Sequence, residues 1–263
     1  MKRNGFDSTR RNRNIGTEAS GHGADNKLVI PSSRYASRTW WEQLGVCEVE
    51  DRQIQGKSIR FIVETLRDGF YHPASVEDLA YLLSIVPAVD WEGIGAVVLR
   101  CPTRKQRILE PQWGRIAFSS NIGMAGKCDL YRGPAILLDS IQLVMSFKWS
   151  RSLDSSHSIE LERLRRDGHR IQESRREYLI YVSEDSSRNT ILYRTTLHEI
   201  GHWVDWKERV KRPNLEDLNH QEQLDDAYWS RSTDERESFA HRYSETLRDH
   251  LMQTGAIPFQ AVR

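Results

Sequence analysis

The chain has 263 residues, enough for one large domain or two small ones. Hydrophobic residues make up 38 % and charged residues 29 %, and 38 Lys and Arg stand against 37 Asp and Glu, a formal net charge of +1. This near-neutral balance gives no reason to expect wholesale binding to nucleic acid or to anionic membranes, and the composition is that of a soluble globular protein.

The N-terminal segment and the cysteines indicate in which cellular compartment the protein resides. Residues 1–38 are rich in Arg, Asn, Ser and Gly, so we predict a disordered basic tail, the one segment suited to contact nucleic acid or another acidic partner. No secretory signal core or bilayer-spanning apolar run is present. Three widely spaced cysteines, Cys47, Cys101 and Cys128, form no C-x-x-C pair and favour reduced thiols. We expect a cytoplasmic protein without membrane partners; export as an effector stays an open alternative.

The folded part is predicted to be a single domain, 39–263, in which 39–130 could form an N-terminal subdomain that carries specificity. Packed structure should begin with the apolar residues between Trp40 and Val46. Two helices and three strands are then predicted in chain order: helix Ser58–Leu66, a helix capped by Ser75 that runs to Leu83, and strands Ile94–Arg100, Arg115–Phe118 and Ala135–Asp139.

The second half is predicted to be richer in helix. Gln142–Trp149 is ambiguous between helix and strand. The other elements are predicted in this order: a helix over Ser158–Arg166 that Gly168 ends, a strand over Glu177–Ser183, a turn over Glu184–Arg188, a helix over Thr190–Lys207, a loop over Pro213–Ala227, and a last helix over Thr233–Gln253. Ser232 and Glu235 have the spacing of a capping box at the start of that last helix.

The chemistry is indicated by the segment His198-Glu199-Ile200-Gly201-His202. Residues four apart share one face of a helix, so the two imidazoles can bind one ion while Glu199 reaches a water on it. Zinc lowers the pKa of such a water to about 7, and a carboxylate can take its proton. Gly201 places the smallest residue beside the second ligand, where another backbone could approach closely.

A catalytic zinc site needs a third protein ligand. The continuation H-x-x-G-x-x-H fails, because Asp205 and Glu208 stand at its last two positions. The last helix supplies Glu237, 35 positions after His202, beside small Ala240. Asp234 and Glu235 are competing carboxylates in the first turn of the same helix.

The pair of motifs resembles the glutamate-ligand zincins. H-E-x-G-H-x-x-D followed by E-x-F-A-x-x-[FY] is similar to the catalytic domain of anthrax lethal factor and its relatives and, more loosely, to ImmA/IrrE peptidases. The resemblance covers about residues 190 to 251. It implies that His198, His202 and Glu237 hold Zn²⁺ and that Glu199 is the general base.

Three further residues are candidates for supporting roles around the metal site. By the resemblance Asp205 matches the acidic residue after the second histidine and would orient an imidazole. His241, one turn after Glu237, is a candidate for a group outside the ligand set or on the substrate side. Lethal-factor relatives use a tyrosine ahead of the glutamate ligand to stabilise the oxyanion; Tyr228 is the nearest candidate here, although its spacing differs.

These inferences together predict an α+β, zincin-like domain with a small mixed β-sheet packed on the metal-motif helix and on a C-terminal helix carrying the third ligand. The predicted function is zinc-dependent hydrolysis of a peptide bond in a protein or peptide substrate. Such a substrate would add a strand beside Arg132–Asp139 or Glu177–Ser183. A zinc hydrolase for a non-peptide amide, a metal-sensing regulatory module and a single-substrate effector or defence protease stay open as alternatives.

Overall fold

A computed structural model describes residues 39–109, 112–125, 129–143, 145–213 and 218–262. The tail predicted over residues 1–38 lies outside the described residues, as does Cys128. Thr39–Arg263 clusters as one unit. Cys47 and Cys101 are free thiols, as predicted.

A six-stranded mixed sheet runs through the first half, in the order β1-β6-β7-β5-β3-β2. Its strands are β1 Trp40–Leu44, β2 Cys47–Ile54, β3 Lys57–Glu64, β5 Ala96–Arg100, β6 Gly114–Met124 and β7 Asp129–Asp139. β5 lies inside the sheet between parallel neighbours, and all five of its residues are buried. The apolar run Ala96–Leu99 is typical of a strand covered on both faces. The three strands predicted between residues 94 and 139 are confirmed.

The helix predicted over Ser58–Leu66 is wrong. This stretch is β3, which pairs along its whole length with β2 and with β5 through Arg60–Val63. Ile59, Phe61 and Ile62 are fully buried. β-branched and aromatic residues fit a pleated, buried surface, and the pairing partners lie elsewhere in the chain, where a local helical pattern does not register them.

A smaller antiparallel sheet, in the order β10-β11-β9, packs on helix α4, Ser155–Arg166. Its strands are β9 Met145–Ser150, β10 Arg170–Glu173 and β11 Glu177–Val182. β9 resolves the ambiguous Gln142–Trp149 as mainly strand, and the strand predicted at Glu177 is confirmed. Two short strands, β4 Phe70–Tyr71 and β8 Ile141–Gln142, pair with each other.

Among the described residues, three helices precede α4: α1 Val76–Ile85, α2 Ala88–Trp91 and α3 Arg104–Leu109. α1 confirms the predicted helix, and the Ser75 hydroxyl accepts from the Asp78 N–H in a capping box. Asp78 is buried and bonds twice to Arg188, at 3.1 and 2.8 Å. Although burial alone would raise the pKa of Asp78, hydrogen bonds from Arg188 and the Val262 N–H lower it.

Replacing Asp78 with asparagine is expected to reduce the free energy of unfolding at pH 7 by about 3 kcal/mol, because Arg188 loses its buried charge partner. A lowered carboxylate pKa adds stability above about pH 4, and this stability is lost as the pH falls through the folded-state pKa. The difference between wild type and variant in urea unfolding should therefore shrink toward pH 3. Glu77→Gln, in the same helix turn but with a side chain that is 41 % exposed, is the control, and an equal loss there would contradict the assignment.

One helical segment, Glu184–Lys211, carries the metal motif. It consists of α5 Glu184–Thr190, a π-helical stretch Ile191–Thr196, α6 Leu197–Trp206 and a second π-helical stretch Lys207–Lys211. The turn predicted over Glu184–Arg188 is thus wrong: Ser183 caps α5, and Ser187 is buried with its hydroxyl 2.9 Å from that of Tyr71. Polar residues can lie inside a helix when tertiary partners satisfy them.

Two helices complete the described part of the chain, α7 Leu218–Ser230 and α8 Thr233–Gln253. The loop predicted over Pro213–Ala227, with room for one helical turn, is wrong from Leu218 onward, where α7 begins; residues 214–217 lie outside the described residues. α8 matches the predicted last helix, and the Ser232 hydroxyl accepts from the Glu235 N–H, while the Glu235 carboxylate pairs with Arg231. One face of α6 packs with α1 and the six-stranded sheet in the main apolar core, whose fully buried members include Phe61, Leu79 and Trp203.

The structure is therefore a mixed α+β fold, as predicted at that level. Within the described residues, no helix combines the length and apolarity needed to cross a membrane.

Candidate metal centre

Three side chains from two helices converge on one point. His198 and His202 lie one turn apart on α6, and Glu237 comes from the second turn of α8. The Glu237 carboxylate lies 3.2 Å from His198 Nε2 and 3.4 Å from His202 Nε2. One potential ligand atom from each of the three residues lies within 4.8 Å of the others, so this group could hold a metal ion.

The spacing fits a tetrahedral ion. Zinc bonds of about 2.0–2.1 Å to nitrogen and oxygen place neighbouring ligand atoms about 3.4 Å apart. The structure has 3.2 Å from His198 Nε2 to Glu237 Oε2 and 3.4 Å from His202 Nε2 to Glu237 Oε1. Two imidazoles and a carboxylate are also a donor set that zinc accepts. Among the described residues, Asp234 and Glu235 do not join the group, and Glu235 pairs with Arg231 instead.

The electrostatics favour a carboxylate ligand. Burial alone would raise the pKa of Glu237, but the hydrogen bonds to His198 and His202 hold it well below its usual value. Burial would lower the pKa of His202, and the bond to Glu237 together with the charge of Glu199 raises it instead. Glu237 is therefore ionised at neutral pH and ready to neutralise part of a cation's charge.

Glu199 is held by the large sheet. Its carboxylate is buried and accepts the Ile116 N–H of β6 through Oε2 at 2.7 Å. The predicted base thus has a fixed position on the helix turn that carries His198. Ile116 itself carries no chemical signal in the sequence, since it contributes only a backbone N–H.

Gly201 lets the two ligand-bearing helices touch. A Cβ built on Gly201 would lie 3.0 Å from the Cα and the carbonyl oxygen of Ala240 in α8, and Ala240 is fully buried. The close approach predicted for this glycine is therefore present. It brings α8 near enough for Glu237, about one turn earlier, to reach the two histidines.

Replacing Gly201 with valine is expected to force α6 and α8 apart, lowering the free energy of unfolding by about 1–3 kcal/mol and depleting bound metal. Gly201→Ala should have a smaller effect, because alanine gains about 1 kcal/mol of helix propensity against the strain. Metal content by mass spectrometry and urea unfolding measure both quantities. Full metal content and stability in the valine variant would contradict the contact.

Asp205 links the metal helix to the segment that leads into α8. It is buried, and its carboxylate accepts from Arg209 at 2.7 Å and from Arg231 at 2.8 Å. Arg231 directly precedes the Ser232 cap of α8, so this pair helps position the helix that carries Glu237. That Asp205 also orients an imidazole stays a prediction.

Tyr228 lies in an aromatic group on α7. Its ring packs near Phe118 and Trp229, with centroids 6.3 and 5.3 Å away. Burial and the neighbouring Asp205 raise the pKa of Tyr228 well above its usual value. Its buried hydroxyl makes no hydrogen bond of ordinary geometry to the described residues, although the Asp205 carboxylate is close enough to interact with it. The phenol is thus a neutral donor at neutral pH, and its role toward an oxyanion stays a prediction.

His241 stands beside the ligands on α8. Its ring centroid is 4.3 Å from that of His198, and its Nε2 is 3.2 Å from Arg163 Nη1. Burial, with His198 and Arg163 nearby, lowers the pKa of His241 to about 3. Arg163 of α4 was not singled out by sequence, because nothing in its local pattern places it near the metal motif.

The two strands proposed to receive a peptide are not edges. Arg132–Asp139 lies in β7, between β6 and β5, and Glu177–Ser183 lies mostly in β11, between β10 and β9. The strand beside Glu199 is β6 instead. Among the described residues β1 pairs only with Ser120–Met124, so the part of β6 around Ile116 pairs with β7 alone.

Comparison with protein-family models, curated proteins and solved structures finds no match to this chain. The support for a metal-binding group within an α+β fold comes from the geometry of His198, His202 and Glu237.

Proposed function

We propose that this chain is a zinc-dependent peptidase that hydrolyses a peptide bond in a protein or peptide substrate. The observation that carries the proposal is the convergence of His198, His202 and Glu237 with a carboxylate, Glu199, on the same helix turn. The resemblance to the glutamate-ligand zincins adds to it. A metal site that does not catalyse a reaction would not need a general base such as Glu199 beside its ligands.

Zinc, when bound by the three ligands, would supply Lewis acidity toward water and a substrate carbonyl. Glu199 is the proton carrier. Its Oε2 accepts the Ile116 N–H, so Oε1 is the oxygen that would take a proton from the attacking water and return it to the leaving amine. The Ile116 N–H thus fixes the orientation of the carboxylate while it leaves Oε1 available for proton transfer.

The part of β6 around Ile116 is where a peptide would lie. It has β7 on one side and Glu199 on the other, so an extended substrate could pair with its remaining backbone groups next to the base. Tyr228 is proposed as the oxyanion donor, since its buried phenol has a proton to give.

The proposal is tested on purified full-length protein by measuring its bound metal and incubating it with a proteome-derived peptide library. We expect about one zinc per chain and new peptide termini that chelation abolishes. A protein that retains no zinc would refute the metal site. One that retains zinc and cleaves nothing would favour a metal-sensing module.

A further inference from the structure

A cavity of about 690 Å³ opens beside the metal centre, between the three-stranded sheet, α4 and the start of β6. Its size is that of a typical ligand pocket. Most of its wall is apolar or aromatic, from Trp113, Ile141, Met145, Phe147, Trp149 and Leu164. We call it the aromatic pocket.

The aromatic pocket adjoins the catalytic groups from two directions. His241 lines it, and the ring of His241 is 4.3 Å from that of the proposed ligand His198. Trp113 also lines it and directly precedes β6, whose Ile116 N–H holds Glu199. A substrate side chain next to the reacting bond would therefore enter this space.

The β9 wall is fixed in place. Side chains alternate along this strand, with Phe147 and Trp149 half-buried and Lys148 between them exposed on the other face. The two rings, 5.8 Å apart, pack on the small core of Leu161, Leu164 and Ile180. A preformed wall loses little entropy when it binds an apolar group.

The charged groups of the pocket already have partners. Arg163 pairs with Glu245 at 3.2 Å, and Glu160 pairs with Arg194 at 2.6 Å. A charged substrate group would have to compete with these pairs, whereas an apolar one would cover the aromatic wall and leave them intact.

We propose that the aromatic pocket selects a bulky aromatic or aliphatic side chain next to the cleaved bond, with Phe147 and Trp149 as the residues that determine this specificity. The inference rests on the proposed peptidase function. It places substrate selection on the small sheet, apart from the helices that hold the metal.

The first test compares wild type, Trp149→Ala and Lys148→Ala on the peptide library. Wild-type cleavage sites should be enriched in Phe, Tyr, Trp, Leu or Met at one flanking position. Trp149→Ala should lower kcat/KM for such a peptide by about tenfold or more relative to a peptide with alanine there. Lys148→Ala, one residue away on the opposite face, should match wild type. Trp149→Leu, which keeps an apolar wall, provides a second variant if the alanine protein does not fold.

A second measurement does not depend on cleavage. N-acetyl-phenylalaninamide, added to the protein as purified, should shift the indole N–H signals of Trp113 and Trp149 in NMR spectra, and N-acetyl-alaninamide should not. Cleavage without this side-chain preference would refute the proposed role of the aromatic pocket but would leave the peptidase proposal standing. Selective shifts without any cleavage would support the pocket and refute the peptidase. Neither shifts nor cleavage would overturn both.

Discussion

Replacing Glu199 with glutamine is expected to reduce peptide hydrolysis by about 10²–10⁴-fold while the bound metal stays unchanged, because the change removes the proton carrier and no ligand. The amide oxygen of glutamine can still accept the Ile116 N–H, so the helix turn and the β6 contact should be kept. Initial rates on one cleaved peptide, with metal content measured on the same samples, test this expectation.

Lys148→Ala provides the matched control, since its exposed side chain lies on the outer face of β9. A glutamine variant that retains more than about a tenth of wild-type activity would remove Glu199 from the proposed mechanism. Lost metal in that variant would instead assign Glu199 to the ligand set.

Replacing Glu237 with alanine is the second change with a large expected effect. The change removes the single carboxylate of the ligand group, and we expect the metal affinity to fall by more than about 100-fold. This exceeds the loss of about 10–100-fold that is typical when a residue that only hydrogen-bonds to a ligand is removed. The two histidines alone would leave an incomplete site. Titration with a chelating competitor gives the affinities of wild type and variant.

Glu235→Ala is the control, with the same residue type two positions earlier on α8. Its carboxylate is exposed and pairs with Arg231, so its removal should leave the metal affinity near wild type. Similar metal loss in both variants would point to a general effect on the start of α8. Loss in the Glu235 variant alone would restore the competing carboxylate as the third ligand.

The metal group could be predicted because its main signal is local. Helix periodicity alone brings His198 and His202 together. Glu237 was harder to predict as part of the group, because it reaches the two histidines only when a second helix packs against the first. The small residues Gly201 and Ala240 indicated in the sequence that the two helix backbones meet there. The role predicted for Asp205 stays a prediction, and the sequence spacing did not indicate its partners Arg209 and Arg231.

Non-local pairing explains what the sequence did not predict. Lys57–Glu64 becomes a strand because β2 and β5 flank it, and Glu184–Thr190 becomes a helix whose buried serines find tertiary partners. The same reason hides the aromatic pocket. Trp113 precedes β6, Phe147 and Trp149 lie on β9, and His241 lies on α8, and these segments meet only in the folded protein.

The backbone contact between Gly201 and Ala240 has a consequence for ion choice. At Gly201 the backbone of α6 meets the backbone of Ala240 and the ring of Tyr243 closely, so close packing there limits how far the distance from the imidazoles to Glu237 can change. An ion with bonds of about 2.3–2.6 Å, such as calcium, would have to push whole helices apart, and it also prefers six to eight oxygen ligands. We therefore expect the group to bind small divalent ions such as zinc more tightly than calcium, which competition between the two ions for the purified protein would measure.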